Sequence, residues 1–181
     1  MSFQIRAINA VSQPQIAELS HLLIACVEAG ASVGFMLPFT NTKAETYWQH
    51  VNESLQQGER LVLIAETADA KIVGSVQIVL SQPENQPHRA DLSKMLVHPK
   101  ARRQGIAAAL LTAAETGAQA QGKNLLVLDT ANPEAERVYE RGGWQRCGVI
   151  PNYALWPTGG LCATTFFYKK LGHAPEELKS H

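Results

Sequence analysis

A short basic turn that ends in glycine separates an apolar, strand-like run from a helix-like run of small residues. The turn extends from His98 to Gly105, and its cations are Lys100, Arg102 and Arg103. The first turn of a helix has backbone N–H groups without helical partners and carries a partial positive charge, so it can hold phosphate oxygens. Gly105 has no Cβ and allows an anion to approach the backbone. The combination predicts a pyrophosphate site at the start of this helix.

Neither of the two common phosphate motifs is present in the sequence. The P-loop requires GxxxxGK[ST], and the dinucleotide fingerprint requires GxGxxG with an acidic residue about 20 positions later. A basic turn of this length can also be a surface loop whose arginines are only solvated. Its position between a strand and a small-residue helix is what favours an anion site.

Hydrophobic periodicity surrounds this turn with alternating strands and helices. Strands are predicted at residues 3–8, 60–67, 71–80, 89–97, 125–129, 144–153 and 162–170. Helices are predicted at residues 16–27, 43–57, 106–121 and 133–140. The order mixes hairpins with crossover helices, which predicts an α/β (α+β mixed) domain with one mixed, mostly antiparallel sheet and helices on both faces. The domain is expected to cover residues 1–171, and residues 172–181 are expected to form a polar tail.

Two motifs resemble those of the GNAT superfamily of N-acetyltransferases. The first is an apolar-x-Val-x-Pro run followed by [Q/R]xxGx[G/A], which reads here as Met95 to Pro99 and then Arg102 to Ala107. The second is Asn-x-x-Ala-x-x-x-Tyr-x-x-x-Gly-aromatic, which reads as Asn132 to Trp144. Their order and separation match the family, and the element order fits over nearly the whole chain.

The resemblance implies a single GNAT-like domain whose sheet splays between its fourth and fifth strands, and an enzyme that takes acetyl groups from acetyl-CoA. The backbone of Met95, Leu96 and Val97 would pair with the pantetheine arm like an added strand. The remaining coenzyme contacts are expected from the pyrophosphate turn and from one residue of the second motif: Arg102, Arg103, Gln104, Gly105, Ile106, Ala107 and Asn132.

Direct acetyl transfer to an amine requires a base for the ammonium, a donor for the oxyanion and a proton for the departing thiolate. The resemblance makes Asp91 and Asp129 the base candidates, because each lies on one of the two splayed strands, and Tyr139 the acid candidate. The oxyanion donor is expected to be a backbone N–H near Val97. Each side chain also has a structural alternative: Asp91 as a solvated residue, Asp129 as a helix cap, and Tyr139 as a packing residue.

A narrower resemblance is to the tabtoxin resistance acetyltransferases. It is carried by Gly30 to Met36, Arg89-Ala90-Asp91, Leu128-Asp129-Thr130 and Pro151-Asn152-Tyr153. It implies an acceptor that is a primary amine of a small, amino-acid-like molecule, bound by Ser32, Phe35 and Met36. Core filling is the alternative for Phe35 and Met36. Acetylation of proteins or peptides, or binding of acetyl-CoA without catalysis, are the alternative functions.

Composition excludes several other classes of function. Sixteen basic residues balance 16 acidic ones, which argues against nucleic-acid or membrane capture. The six histidines have no paired spacing, so no metal site is predicted. Three cysteines without a CxxC pair, and an N-terminus unlike a signal peptide, predict reduced thiols in the cytoplasm. Monomer and homodimer both remain open.

Overall fold

The computed structural model describes residues 2–172, so the predicted polar tail lies outside the described residues except for Gly172. One sheet of seven strands runs through the domain in the order β1-β2-β3-β4-β5-β7-β6. The strands are β1 Phe3–Ile8, β2 Arg60–Thr67, β3 Ile72–Val79, β4 Arg89–Val97, β5 Leu125–Thr130, β6 Gln145–Leu155 and β7 Leu161–Lys170. The helices are α1 Gln13–Glu28, α2 Asn41–Gln56, α3 Ile106–Ala120 and α4 Pro133–Arg141. A 3₁₀ turn, Pro99–Ala101, connects β4 to the loop before α3.

The predicted fold is confirmed: the sheet is mixed, and all pairings are antiparallel except that of β4 with β5. Most bounds differ from the prediction by one to three residues, and for two of them the structure shows the reason. Helix α2 begins at Asn41 because the Thr40 hydroxyl caps it, accepting the Lys43 N–H at 3.3 Å. Strand β6 continues to Leu155, two residues beyond the predicted end, because it stays paired with β7 up to Leu161.

Alternating side chains of the sheet fill two cores on its opposite faces. Leu63 and Ala65 of β2 pack in the core formed with α3 and α4, which we call the α3 face. Val62 and Ile64 pack in the core formed with α1 and α2, which we call the α1 face. The central strands are therefore buried on both sides, whereas β6 is exposed over nearly its whole length. None of the described helices is long and apolar enough to cross a membrane.

Strands β4 and β5 are paired over only three residues, from Arg89–Leu125 to Asp91–Val127. Beyond Asp91 the two strands separate, and the edge of β4 that faces β5 has no partner strand over the rest of its length. An unpaired strand edge presents free backbone N–H and C=O groups that an extended ligand can bind. The sheet therefore contains an internal cleft that begins directly after Asp91.

Helix α3 approaches the sheet closely at its N-terminus because β3 has a glycine there. A Cβ on Gly74 would lie 2.8 Å from Cγ2 of Ile106 and 3.1 Å from the carbonyl oxygen of Leu96. Both distances are shorter than a relaxed contact, so a larger residue would push the start of α3 away from the sheet. Gly74 thus determines how closely the N-terminus of α3 packs on the sheet.

We expect Gly74→Ala to lower the free energy of unfolding by about 1–3 kcal/mol, because the added methyl group overpacks the contact between β3 and α3. Urea denaturation followed by circular dichroism measures the change. Gly117→Ala, on α3, is the control, since the Cβ added there would meet only Leu61 Cδ1 at 3.4 Å. That control gains helix propensity of up to about 1 kcal/mol. Equal stability of Gly74→Ala and the wild type would contradict this interpretation of the contact.

Candidate active site

The basic turn before α3 adopts a left-handed conformation at two residues. Gly105 is the N-cap of α3 with φ +82°, and Arg103 has φ +60°. A Cβ built on Gly105 would have no neighbour within 4 Å. The backbone angle, which L-residues rarely adopt, is by itself a reason for glycine at this position.

The backbone N–H groups at the start of α3 have no helical partner. The first helical bond joins Ala109 N to Gly105 O at 3.0 Å, so the N–H groups of Ile106, Ala107 and Ala108 are left without one. The Ile106 side chain is buried, so this residue can offer a ligand only its backbone. Consecutive free N–H groups at a helix N-terminus form a site for an anion.

A cavity of about 370 Å³ opens beside this turn, which is within the range of small-molecule sites. It brings together the loop after α1, the basic turn, the start of α4 and the β6–β7 turn. Its lining residues are Gly30, Ala31, Ser32, Arg102, Asn132, Pro133, Glu134 and Trp156. Arg103 and Gln104 are exposed at the turn and do not line this cavity.

Asn132 is the N-cap of α4. Its Oδ1 accepts the Glu134 N–H at 2.8 Å, and its side-chain amide nitrogen donates no hydrogen bond within residues 2–172. Helix α4 is thus capped by Asn132 and not by Asp129. The Asp129 carboxylate instead accepts the Thr164 hydroxyl at 2.8 Å, which excludes the helix-cap interpretation of this residue.

The unpaired end of β4 contains the predicted pantetheine residues, and their side chains are turned into the two cores. Leu96 is buried in the α1-face core, while Met95 and Val97 pack against the α3-face core. These residues can therefore offer the cleft only backbone groups. The Cys26 thiol donates to the Val97 carbonyl at 3.5 Å, and burial raises the pKa of this thiol to about 11 although Arg102 lowers it. All three cysteines are free thiols.

Asp91 lies at the paired end of β4, before the cleft begins. Its carboxylate forms an ion pair with Arg89 and accepts a hydrogen bond from Gln82 Nε2 at 3.0 Å. Arg89 in turn donates to the Gln82 side chain, which closes a three-residue network. Asp91 and Asp129 therefore have separate hydrogen-bond partners.

Asp129 and Tyr139 lie close enough to interact electrostatically. Tyr139 is buried against the rings of Trp144 and Phe167, both at 5.8 Å between centroids. Burial, and then the Asp129 carboxylate, raise the pKa of Tyr139 well above its ordinary value. Its hydroxyl has no hydrogen-bond partner among residues 2–172. Tyr139 thus keeps its proton at neutral pH and has a free donor.

The loop after α1 is joined to the tip of the β6–β7 hairpin across the cleft. The Ser32 hydroxyl donates to the Leu155 carbonyl at 3.1 Å, and Leu37 N donates to the Pro157 carbonyl at 2.9 Å. Phe35 packs against Phe39 and Tyr47, with ring centroids 4.5 and 5.2 Å apart, while Met36 is 43% exposed. Phe35 thus packs against the α1-face core, and Ser32 bonds this loop to the hairpin.

Two residues of this region, Lys94 and Trp156, were not predicted from the sequence. Trp156 lines the cavity from the β6–β7 turn, although its sequence context indicates only a packing residue. Lys94 has φ +49° in a bulge of β4, where the register with β3 shifts between Ser75 and Gln77. A lysine that interrupts the apolar run of a buried strand was the available signal for it.

Comparison with known proteins identifies the family. Residues 36–152 match the family described as Acetyltransferase (GNAT) domain. An N-acetyltransferase of Azospirillum brasilense, described as uncharacterized and from the hisH-hisA intergenic region, is 32% identical over 127 residues, covering 69% of this chain and 73% of that protein.

Two solved structures illustrate the similarity in fold. The GNAT superfamily phosphinothricin acetyltransferase of Sinorhizobium meliloti, in complex with AcCoA, aligns with a TM-score of 0.78 at 17% identity, covering 98% of this chain and 95% of that one. The ribosomal-protein-alanine N-acetyltransferase of Brucella melitensis aligns with a TM-score of 0.76 at 22% identity, covering 93% of this chain and 99% of that one. The chain belongs to the GNAT family and is an acetyl-CoA-dependent N-acetyltransferase.

Proposed function

We propose that this enzyme acetylates a primary amine of a small molecule at the end of the cleft between β4 and β5. The observation that carries the proposal is the pair of bonds from Ser32 and Leu37 to the β6–β7 hairpin. A long peptide in an extended conformation needs a continuous groove across the acceptor site. The joined loop and hairpin interrupt such a groove, which favours a compact acceptor.

The coenzyme site that we propose follows the free backbone groups. The N–H groups from Arg102 to Ala107 bind the pyrophosphate, and the guanidinium of Arg102 adds counter-charge from the cavity wall. The edge of β4 from Met95 to Val97 pairs with the pantetheine arm, and the Asn132 amide contacts the coenzyme beside α4. Acetyl-CoA supplies an acetyl group activated as a thioester.

We assign the base role to Asp129. Its carboxylate binds the ammonium form of the acceptor and accepts one proton, directly or through a water molecule. The neutral amine then forms a bond to the acetyl carbon while the carbon–sulfur bond breaks, so the products are an amide and coenzyme A. A backbone N–H on the free edge of β4 near Val97 stabilises the oxyanion.

Tyr139 acts on the leaving sulfur as a hydrogen-bond donor. A thiol has an ordinary pKa near about 8.5, far below that of this buried phenol, so complete proton transfer from Tyr139 to the thiolate would be uphill. A free O–H at the cleft can still stabilise the thiolate as it departs. The acceptor nitrogen loses two protons, one to Asp129 before the attack and a second one when the amide forms. One of them reaches the thiolate through solvent, and the other is released to solvent.

The resemblance in the acceptor loop narrows the proposed substrate to amino-acid-like amines, including β-lactam toxins of the tabtoxin type. Ser32, Phe35 and Met36 belong to this loop, and Phe35 and the exposed Met36 supply apolar surface for such an acceptor. Resistance to a toxin would then be one use of the activity.

An acceptor screen tests the proposed function directly. We expect thiol release from acetyl-CoA with small primary amines, including β-lactam amino acids, and little release with peptides. The measurement is colorimetric detection of coenzyme A thiol, with heat-inactivated enzyme as the control. Turnover confined to peptides would support the alternative of a protein acetyltransferase, and no turnover at all would support a non-catalytic binding module.

Replacing the two aspartates separately tests the assignment of the base. Asp129→Asn should lower kcat by about 100-fold or more, because it removes the proton acceptor. Asp91→Asn is the matched control and should change kcat by less than about fivefold, because a partly exposed ion pair contributes little. The KM for acetyl-CoA should be unchanged in both variants. The reverse order of the two kcat losses would transfer the role to Asp91.

Tyr139→Phe separates catalysis from packing, because the hydroxyl has no partner to lose within the described residues. We expect kcat to fall by about 10- to 100-fold while the stability at pH 7 stays close to that of the wild type. Folding raises the pKa of Tyr139, so the protonated phenol contributes to the stability of the fold. This contribution is complete below the ordinary pKa of about 10 and is lost as the pH rises through the higher pKa of the folded state. Thermal unfolding from pH 7 to 11 should therefore show a shallower alkaline decline in Tyr139→Phe. An unchanged kcat would reduce Tyr139 to a packing residue.

A further inference from the structure

A backbone bulge turns one lysine of β4 towards the acceptor side of the cleft. Lys94 has φ +49°, a conformation that costs a non-glycine residue roughly 1–2 kcal/mol. Its ammonium lies 5.9 Å from the ring centroids of Phe35 and Tyr47, which both pack against the α1-face core. A position that needs no left-handed residue would avoid this strain, so the strain indicates that the placement of Lys94 has a use.

The ammonium of Lys94 has no protein counter-ion. Among residues 2–172 no carboxylate lies within ion-pair distance of Lys94, which is half-buried. Burial, and then the charge of Arg60, lower the pKa of Lys94, while Asp129 partly opposes this. A half-buried cation beside a second cation lacks the compensating charge that buried ions normally have.

Arg60 is the second cation, and it too has no carboxylate partner in the described part of the chain. Its guanidinium donates to the Ser54 hydroxyl at 3.3 Å and to the side-chain oxygen of Gln77. Gln77 is fully buried and donates to the Tyr47 hydroxyl at 3.0 Å. This network holds Arg60 and Tyr47 in fixed positions behind Lys94.

Lys94 and Asp129 lie on the two strands that border the cleft, three residues beyond Asp91 and two residues beyond Val127, the last paired positions. Asp129 also opposes the lowering of the pKa of Lys94, and Arg60 strengthens it. A cation and a carboxylate placed in this way are complementary to a zwitterion, so an acceptor whose ammonium is bound by Asp129 would have Lys94 available for an anionic group. A negative group on the acceptor would neutralise the repulsion between the two cations and form a charge-assisted hydrogen bond.

We propose that Lys94, supported by Arg60, binds a carboxylate or other anionic group on the acceptor, so that the substrate of this enzyme is an amine that also bears an acid group. The inference rests on the proposed function, because it places the acceptor amine at Asp129. It assigns Lys94 to substrate selection, and the step of acetyl transfer is unchanged.

The test compares matched acceptors and variants. A panel of α-, β- and γ-amino acids, each beside its neutral carboxamide, is assayed with acetyl-CoA. For the wild type we expect kcat/KM to favour the acids over their amides by about 10- to 100-fold. Lys94→Gln should abolish this preference by raising the KM for the acids, with kcat and the KM for acetyl-CoA unchanged. Lys94→Arg should retain most of the preference, and the exposed Lys71→Gln should behave as the wild type.

Each other outcome overturns the proposal in a recognisable way. Equal kcat/KM for acids and amides in the wild type, or an equal loss of kcat/KM for both in Lys94→Gln, would contradict the proposed role of Lys94. The proposed small-molecule function would be unaffected by either result. A loss of kcat for both acceptor types would make Lys94 part of the catalytic machinery instead. Acetylation of peptides alone would overturn the proposed function and this inference together.

Discussion

The separation of β4 from β5 is the constraint on which the rest of this structure depends. The two strands are paired through only three residues and then diverge inside an otherwise continuous sheet. Leaving strand edges unpaired inside a domain costs hydrogen bonds, so the gap persists only because the flanking elements are fixed by other contacts. The two cores on opposite faces of the sheet supply those contacts. The cleft is thus a product of the fold as a whole, and the proposed coenzyme and acceptor sites are its two ends.

Each end of the cleft is completed by a local backbone feature. At the coenzyme end, Gly74 admits α3 close to the sheet and the left-handed Gly105 leaves a series of backbone N–H groups free. At the acceptor end, the bulge at Lys94 redirects a charged side chain, and the hairpin tip is hydrogen-bonded to the loop after α1. The chemistry that we propose therefore relies on backbone geometry as much as on reactive side chains.

The features that could be predicted from the sequence are those that depend on local residue patterns. Hydrophobic periodicity was sufficient for the strands and helices, and the spacing within the two motifs was sufficient for the family. The separate environments of Asp91 and Asp129 could not be predicted, because they depend on hydrogen bonds from Gln82 in the β3–β4 loop and from Thr164 on β7. The bulge at Lys94 and the joined loop and hairpin arise from strand register and tertiary packing; the lysine within β4 was a signal for the residue and not for the bulge.

The central claim is that backbone N–H groups at the start of α3 hold the diphosphate of coenzyme A. Calorimetric titration of the enzyme with coenzyme A, and in parallel with pantetheine, which lacks the diphosphate, tests it most directly. The account predicts saturable heat with coenzyme A and binding of pantetheine that is about 100-fold weaker or undetectable, since charge-assisted hydrogen bonds to the diphosphate carry much of the affinity. Equal affinity for the two ligands, or no heat with saturating coenzyme A, would contradict it.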